Sequence, residues 1–213
     1  KTPYMRSSAL VSARDFIKRN GGDVDALFEE VELEFDRTKA DDEFCSFHKV
    51  LALYEIAAQS LSMENFGLEM ALTLPPDFAH FSPFVYLGHF EKNARSWFNS
   101  AVEYQSMFTN GHWPELIENP EIGEATIRLH TEVSLALPRQ WREFQMAGVY
   151  MLARELLNSP EVVPNVVRMR HARPENTILH DQIFREKVEF GCEHDEFVFK
   201  QEFLDLKLKG KAR

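Results

Sequence analysis

The chain has 213 residues, a formal net charge of −10, 44% hydrophobic and 27% charged residues. That length can bury a sizeable core as one large domain or two small ones, in a composition ordinary for a soluble globular protein. A body this acidic repels a phosphate backbone unless its cations cluster, which argues against nucleic-acid binding by this segment. No apolar run approaches the roughly 20 residues of a membrane span, and the opening KTPYMRSSALVS lacks the apolar centre of a signal peptide. Cys45 and Cys192 lie far apart with no framework spacing, and read as free thiols of a reducing cytoplasm. Phenylalanine, with 18 copies, serves either as core or as the lining of an apolar pocket.

RSSALVSARDFIKR carries Leu10, Val11, Ala13, Phe16 and Ile17 at helical spacing and stops at Asn20-Gly21-Gly22. Asp23 caps a short second helix, DVDALFEEVEL. A third and longer helix is expected from Asp41 or Asp42, with Phe44, Phe47, Leu51, Ala58 and Leu61 as its stripe. MENFGLEMALTL follows and ends at Pro75-Pro76. Residues 77–91 are aromatic and irregular. A helix resumes near Asn93 and stops at Thr109-Asn110-Gly111-His112, and a loop holding Trp113, Pro114 and Pro120 follows. EATIRLHTEVSLAL alternates as a strand. After Pro138, RQWREFQMAGVYMLARELL predicts a helix apolar around most of its circumference, and therefore buried. VVPNVVRMRHARP reads as a strand, PENTILHDQIFRE as a helical turn region, and 184–208 as a β-hairpin interrupted by Gly191-Cys192-Glu193-His194-Asp195-Glu196. The expected class is α+β: N-terminal helices packed with a small, mostly antiparallel sheet, a buried central helix and a C-terminal β-hairpin. One domain over 1–208 is the simpler reading, with a helical part about 1–75 and an α+β part about 76–208.

The chemistry-bearing motifs are few. No GxSxG, GxGxxG or GxxxxGK[ST] occurs, neither cysteine sits in a CxxC, and no catalytic residue is assigned. Cys192-Glu193-His194-Asp195-Glu196 packs four ligand types into five residues, but polar residues are expected at a turn, and consecutive ligands rarely close a shell. No metal or cofactor is assigned. The one basic cluster is RMRHAR, 168–173. In a strand Arg168 and Arg170 share one face while Met169 and His171 take the other, and such a group can grip a carboxylate or phosphate or merely pair with surface acids. Arg139 and Arg142 are a second candidate pair, with Gln140 and Glu143 beside them as polar groups of a buried wall.

Six pieces in this order carry a family likeness: RSSALVSARDFIKRNGGDVDALFEEVEL, ENFGLEMAL, AVEYQSMFTNG, RQWREFQMAGVYMLARELL, VVRMRHARP and FREKVEFGCEHDEFVFKQEFLDLKL. Together they resemble the N-terminal effector domain of AraC-type transcriptional regulators, of the non-cupin, arabinose-binding-like variety, over about residues 6–208. The resemblance implies a bacterial, cytoplasmic regulator domain, not an enzyme, that senses a small organic effector and forms a homodimer. It also implies that DNA is bound only through a separate C-terminal domain with two helix-turn-helix motifs. Residues 209–213 would then begin the linker to that absent half. The loops FSPFVYLGHFE and HWPELIENPEIGE depart from the family pattern, and loops around a pocket set its ligand.

The expected effector site lies between the central helix, the strands and the aromatic loop 78–90. Phe81, Phe84, Trp97 and Trp141 would form its apolar walls, and Arg142, His171 and Arg173 its polar contacts to an acidic or hydroxylated ligand; for each, core packing or surface ion pairing is the competing role. Two other functions stay open on residues alone: a small-molecule-modifying enzyme whose acid–base pair assembles only in space, and an oligomerisation module without a ligand. A polar-lined cavity, a perturbed acid–base pair in a cleft, or a solid core would separate the three.

Overall fold

The computed structural model describes residues 2–41, 43–75, 77, 84–132, 138–157, 162–185 and 187–209. They divide into two units, the first Lys1–Ser82, Phe108–Gly111 and Thr131–Gly148, the second Pro83–Met107, His112–His130 and Val149–Arg213.

In the first unit, β1 (Tyr4–Arg6) pairs antiparallel with β2 (Phe44–Ser46), Tyr4 opposite Ser46. Residues 108–111 tie this ladder down: the Arg6 amide donates to the Phe108 carbonyl at 2.9 Å and the Tyr4 amide to Asn110 Oδ1 at 2.7 Å. α1 (Ala9–Arg19) buries the face read from its spacing and ends at Asn20. α2 (Val24–Glu30) is capped as expected, Asp23 accepting from the Ala26 amide at 3.1 Å. The third helix differs from expectation. α3 (Phe47–Ser60) starts at Phe47, because the residues before it are drawn into the β1–β2 ladder. Phe44 is consequently 49% exposed, edge-on to Tyr4 and under the Arg6 guanidinium, and does not begin the buried stripe. α4 (Phe66–Ala71) follows, and the first turns of α7 (Arg139–Leu157) complete the unit.

The second unit begins with α5 (Phe84–Gly88) and α6 (Ala94–Tyr104). α6 is started by a capping box in which Asn93 Oδ1 accepts from the Ser96 amide and Ser96 Oγ from the Asn93 amide. The segment expected to be a loop after it is a strand. β3 (His112–Asn119) and β4 (Glu124–Thr131) lead into a five-stranded sheet ordered β3-β4-β7-β5-β6, with β5 (Val166–Arg168), β6 (Val188–Glu189) and β7 (Asp195–Lys200). β3 lies at the sheet's edge, the position where a proline such as Pro114 is tolerated. Gly123, at φ +69°, supplies the left-handed residue of the turn before β4. α8 (Ile178–Phe184) precedes β6.

The α+β class holds, but the final hairpin does not form. β5 lies between its two arms, running parallel to β6 and antiparallel to β7, with Val167 opposite both Val188 and Phe197. β7 is paired on both edges, by β4 as well as β5, which suits its run of buried residues. Behind it Tyr150 of α7 lies 6.0 Å from Phe197 and 5.8 Å from Phe184, and Phe199 stacks on Phe203 at 4.1 Å. Of the expected linker, residues 210–213 fall outside those described.

On the polar face of this sheet a chain of ion pairs crosses four strands. Glu196 takes Arg128 Nε at 2.9 Å and Arg168 Nη1 at 2.7 Å, Arg168 Nε reaches Glu189 at 3.2 Å, and Lys187 closes on Glu189 at 2.8 Å. Surface pairing is thus the role Arg168 takes. Burial alone would raise the Glu196 carboxyl, but the hydrogen bonds from Arg168 and Arg128 outweigh it and hold it below the usual range. Glu189 is lowered by Lys187 and Arg168. A carboxyl depressed on folding stabilises the fold above its unfolded pKa, about 4.3, and that contribution fades as pH falls through the folded value. The Glu196→Gln variant is therefore expected to lose about 1–3 kcal/mol at pH 7 and to lose less further stability than the native chain between pH 5 and pH 3. Urea melts across that range would show parallel pH profiles if the pairs contribute nothing.

Candidate functional site

The richest assembly of buried polar groups belongs to the first unit and is organised by the start of α7. Helix N-termini leave amide groups without intrahelical partners. In α7 the Gln140 amide donates to Glu55 Oε1 of α3 at 2.7 Å, so a carboxylate sits at the positive end of the helix. Burial raises the Glu55 carboxyl, offset by the Gln140 amide and Arg139. The Gln140 side chain accepts from the Gly67 amide at 2.9 Å and donates to the Glu64 carbonyl at 2.9 Å, capping α4 in turn. The approach is close enough that a Cβ on Gly67 would lie 1.9 Å from the Gln140 carbonyl oxygen. Arg139 donates Nε to Glu143 at 2.8 Å and Nη2 to Asn65 Oδ1 at 2.6 Å. Arg142 donates Nη1 to Gln145 Oε1 at 2.9 Å and Nη2 to the Thr131 hydroxyl. Gln140 is 5% exposed, Arg142 2%, Glu143 0% and Gln145 5%, so the first turns of α7 carry four polar side chains out of water.

Aromatic rings pack beside these side chains. Trp141 meets Tyr54 edge-on at 5.2 Å and Phe47 at 5.5 Å, and Phe144 and Phe66 close on Tyr54 at 5.5 and 5.8 Å. The Tyr54 hydroxyl is buried there without a hydrogen-bond partner among the described residues, and burial pushes its pKa well up. Trp141 and Arg142, both expected at the site, belong to this assembly. Tyr54, Glu55 and Asn65 were not foreseen. Tyr54 had a signal, since Phe47, Leu51, Tyr54 and Ala58 recur at helical spacing, but taking Phe44 as the start of the stripe hid it.

The other expected residues fall in the second unit, except Phe81, which lies outside the described residues. Trp97 Nε1 donates to the Phe84 carbonyl at 2.9 Å, and both are buried core residues. His171 and Arg173 come together around Phe190: the His171 ring centre is 5.4 Å from that of Phe190, and the exposed Arg173 guanidinium lies over the ring at 5.5 Å. His180 of α8 joins them, its ring 5.2 Å from Phe190. The five-residue knot 192–196 is drawn apart by strand geometry. The Asp195 carboxylate accepts from the Arg170 amide at 2.9 Å, whereas Glu196 enters the ion-pair chain. Two surface grooves of about 460 and 480 Å³ adjoin at Asn165, Lys200 and Glu202, and none of the expected residues lines them. Both cysteines are free, and burial raises the Cys45 thiol to about 11, the opposite of an activated nucleophile.

No helix among the described residues is long and apolar enough to cross a membrane. A search of curated proteins finds no match. Among solved structures, the chain resembles the transcriptional regulator CdpR from Pseudomonas aeruginosa at 14% identity and a TM-score of 0.56. The likeness covers 91% of this chain and 57% of that one, so the chain spans little more than half the regulator's length. At that identity the likeness establishes fold. The family follows from a separate match: the model for the arabinose-binding domain of AraC transcription regulators, N-terminal, covers residues 21–208. The chain belongs to the family of arabinose-binding domains of AraC transcription regulators.

Proposed function

We propose that the chain senses a small organic effector on behalf of an AraC-type regulator, and that it passes the bound state to a separate DNA-binding half. The observation that carries this reading is the set of four buried polar side chains on the first turns of α7, beside a cluster of aromatic rings. Removing four polar side chains and the Tyr54 hydroxyl from water is costly for a purely structural core. It is what a site for an apolar body with a polar head requires. Trp141 supplies wall, and the Arg142 guanidinium supplies forked donors suited to a carboxylate or a pair of hydroxyls. An effector acts on the regulator only so far as it binds two conformations, or two dimer arrangements, unequally.

A thermal-shift screen over organic acids, fatty acids, amino acids, sugars and nucleotides tests the reading. A compound at a hundred times its Kd stabilises by about 2.7 kcal/mol, a rise of about 5–10 °C for a chain of this size. Arg142→Met and Trp141→Phe are expected to lose most of that rise. A screen in which nothing shifts the native chain, or shifts undiminished in both variants, would remove the proposal.

A further inference from the structure

We propose that His171 and His180 of the second unit form a two-imidazole site for a divalent transition-metal ion of the zinc, nickel or cobalt kind. Each ring offers a nitrogen within 4.8 Å of the other's. Two nitrogens bound to one such ion at about 2.0–2.1 Å stand roughly 3–4 Å apart, so modest ring rotation brings both onto a common ion. His171 is prepared for that role. Its Nδ1 lies 2.9 Å from the Ala172 carbonyl oxygen, a group that can only accept; the Nδ1 proton therefore belongs in that bond, and Nε2 is the nitrogen that carries the ring's lone pair. Fixing the far nitrogen on a carbonyl is the way ligating histidines are oriented. His171 Nε2 and His180 Nδ1 are both shut off from solvent, so neither has to shed water before it meets an ion.

The surroundings hold the two rings in place. Phe190 packs on His171 at 5.4 Å and on His180 at 5.2 Å. The backbone beneath is tied by the Gly191 amide to the His171 carbonyl at 2.9 Å and by the Cys192 amide to the Met169 carbonyl at 3.0 Å. His180 is 0% exposed on α8, whose entry is fixed by Asn176 Oδ1 on the Ile178 amide. Imidazole nitrogen selects borderline metals such as zinc, nickel and cobalt over magnesium or calcium, which prefer oxygen. The Arg173 cation over Phe190 opposes a second positive charge, but it is exposed and screened. Water or further side chains complete the coordination.

The site is tested without any organic compound. The native chain, stripped with a chelator and dialysed, is titrated calorimetrically at pH 7.5 with zinc, nickel and cobalt chlorides, with magnesium as control. One ion per chain is expected for the transition metals and none for magnesium, with a rise in Tm and, for cobalt, visible ligand-field bands. His171→Gln alters a half-buried residue and should fold; it is expected to weaken zinc binding about 10–100-fold or more. His180→Ala should do the same, and should it fail to fold, His171→Gln decides alone. His130→Ala and His194→Ala, on other parts of the unit, should bind as the native chain does. Absence of saturable transition-metal binding to the native chain overturns the proposal, and so does unchanged affinity in His171→Gln.

Discussion

The Gly67→Ala variant is expected to lose at least about 3 kcal/mol, beyond the usual range for one added methyl in a packed core, and to melt about 6–12 °C or more below the native chain. Its Cβ would be 1.9 Å from the Gln140 carbonyl oxygen, 2.8 Å from the carbonyl carbon and 3.1 Å from the Phe144 amide nitrogen. These are backbone atoms of α7, with no rotamer to give way. Relief requires α4 to lift from α7, which breaks the 2.9 Å bond from the Gly67 amide to Gln140 Oε1 and disturbs the Gln140 bond to Glu64. Gly123→Ala is the internal control. It has open space around it and a positive φ, so only about 1 kcal/mol is expected, from backbone conformation alone. Paired calorimetric melts would give the answer, and a Gly67→Ala chain as stable as the Gly123→Ala chain would refute the close-approach argument.

Truncating Trp141 to alanine should cost about 3–5 kcal/mol, the range for deleting a large buried aromatic, and lower Tm by about 6–20 °C. The indole sits at the meeting of Phe47, Tyr54 and Phe144, with ring centres 5.2–5.8 Å away, and a void there would leave three rings without their edge contacts. Trp141→Phe keeps an aromatic edge and should cost clearly less, which is why it serves as the effector-binding probe. If the alanine and phenylalanine variants melt together, the indole is not packed as described. Arg142→Met takes the donor from Gln145 Oε1 and from the Thr131 hydroxyl, both buried, and should cost about 1–3 kcal/mol.

Much of the secondary structure was legible because its cause is local. Asp23 caps α2, Asn93 and Ser96 cap α6, and the whole of α7 from Arg139 to Leu157 follows from Pro138 and an apolar run. The errors share a different origin. Phe44 carries a side chain equally suited to a helix stripe or a strand, and only pairing with Tyr4–Arg6, some 40 residues earlier, makes it β. Trp113 and Pro114 look like loop until the strand is known to be an edge. The alternation of Val188, Phe190, Phe197 and Phe199 announces strands but not their neighbours, and β5 took the place between them. At the candidate site, Trp141, Arg142, Gln140 and Glu143 could be anticipated from one helix; their partners Glu55 and Asn65 could not, since they come from distant segments.

Taken alone, the residues settled the α+β class, the starts of α2, α6 and α7, the acidic body and the family likeness, since caps, periodicity and charge act over a few positions. Strand neighbours, the capping of α7 by Glu55 of α3 and of α4 by Gln140 of α7, and the meeting of His171 with His180 were decided by tertiary structure. Each depends on which distant segments share a surface, and that is set by the packing of the whole unit.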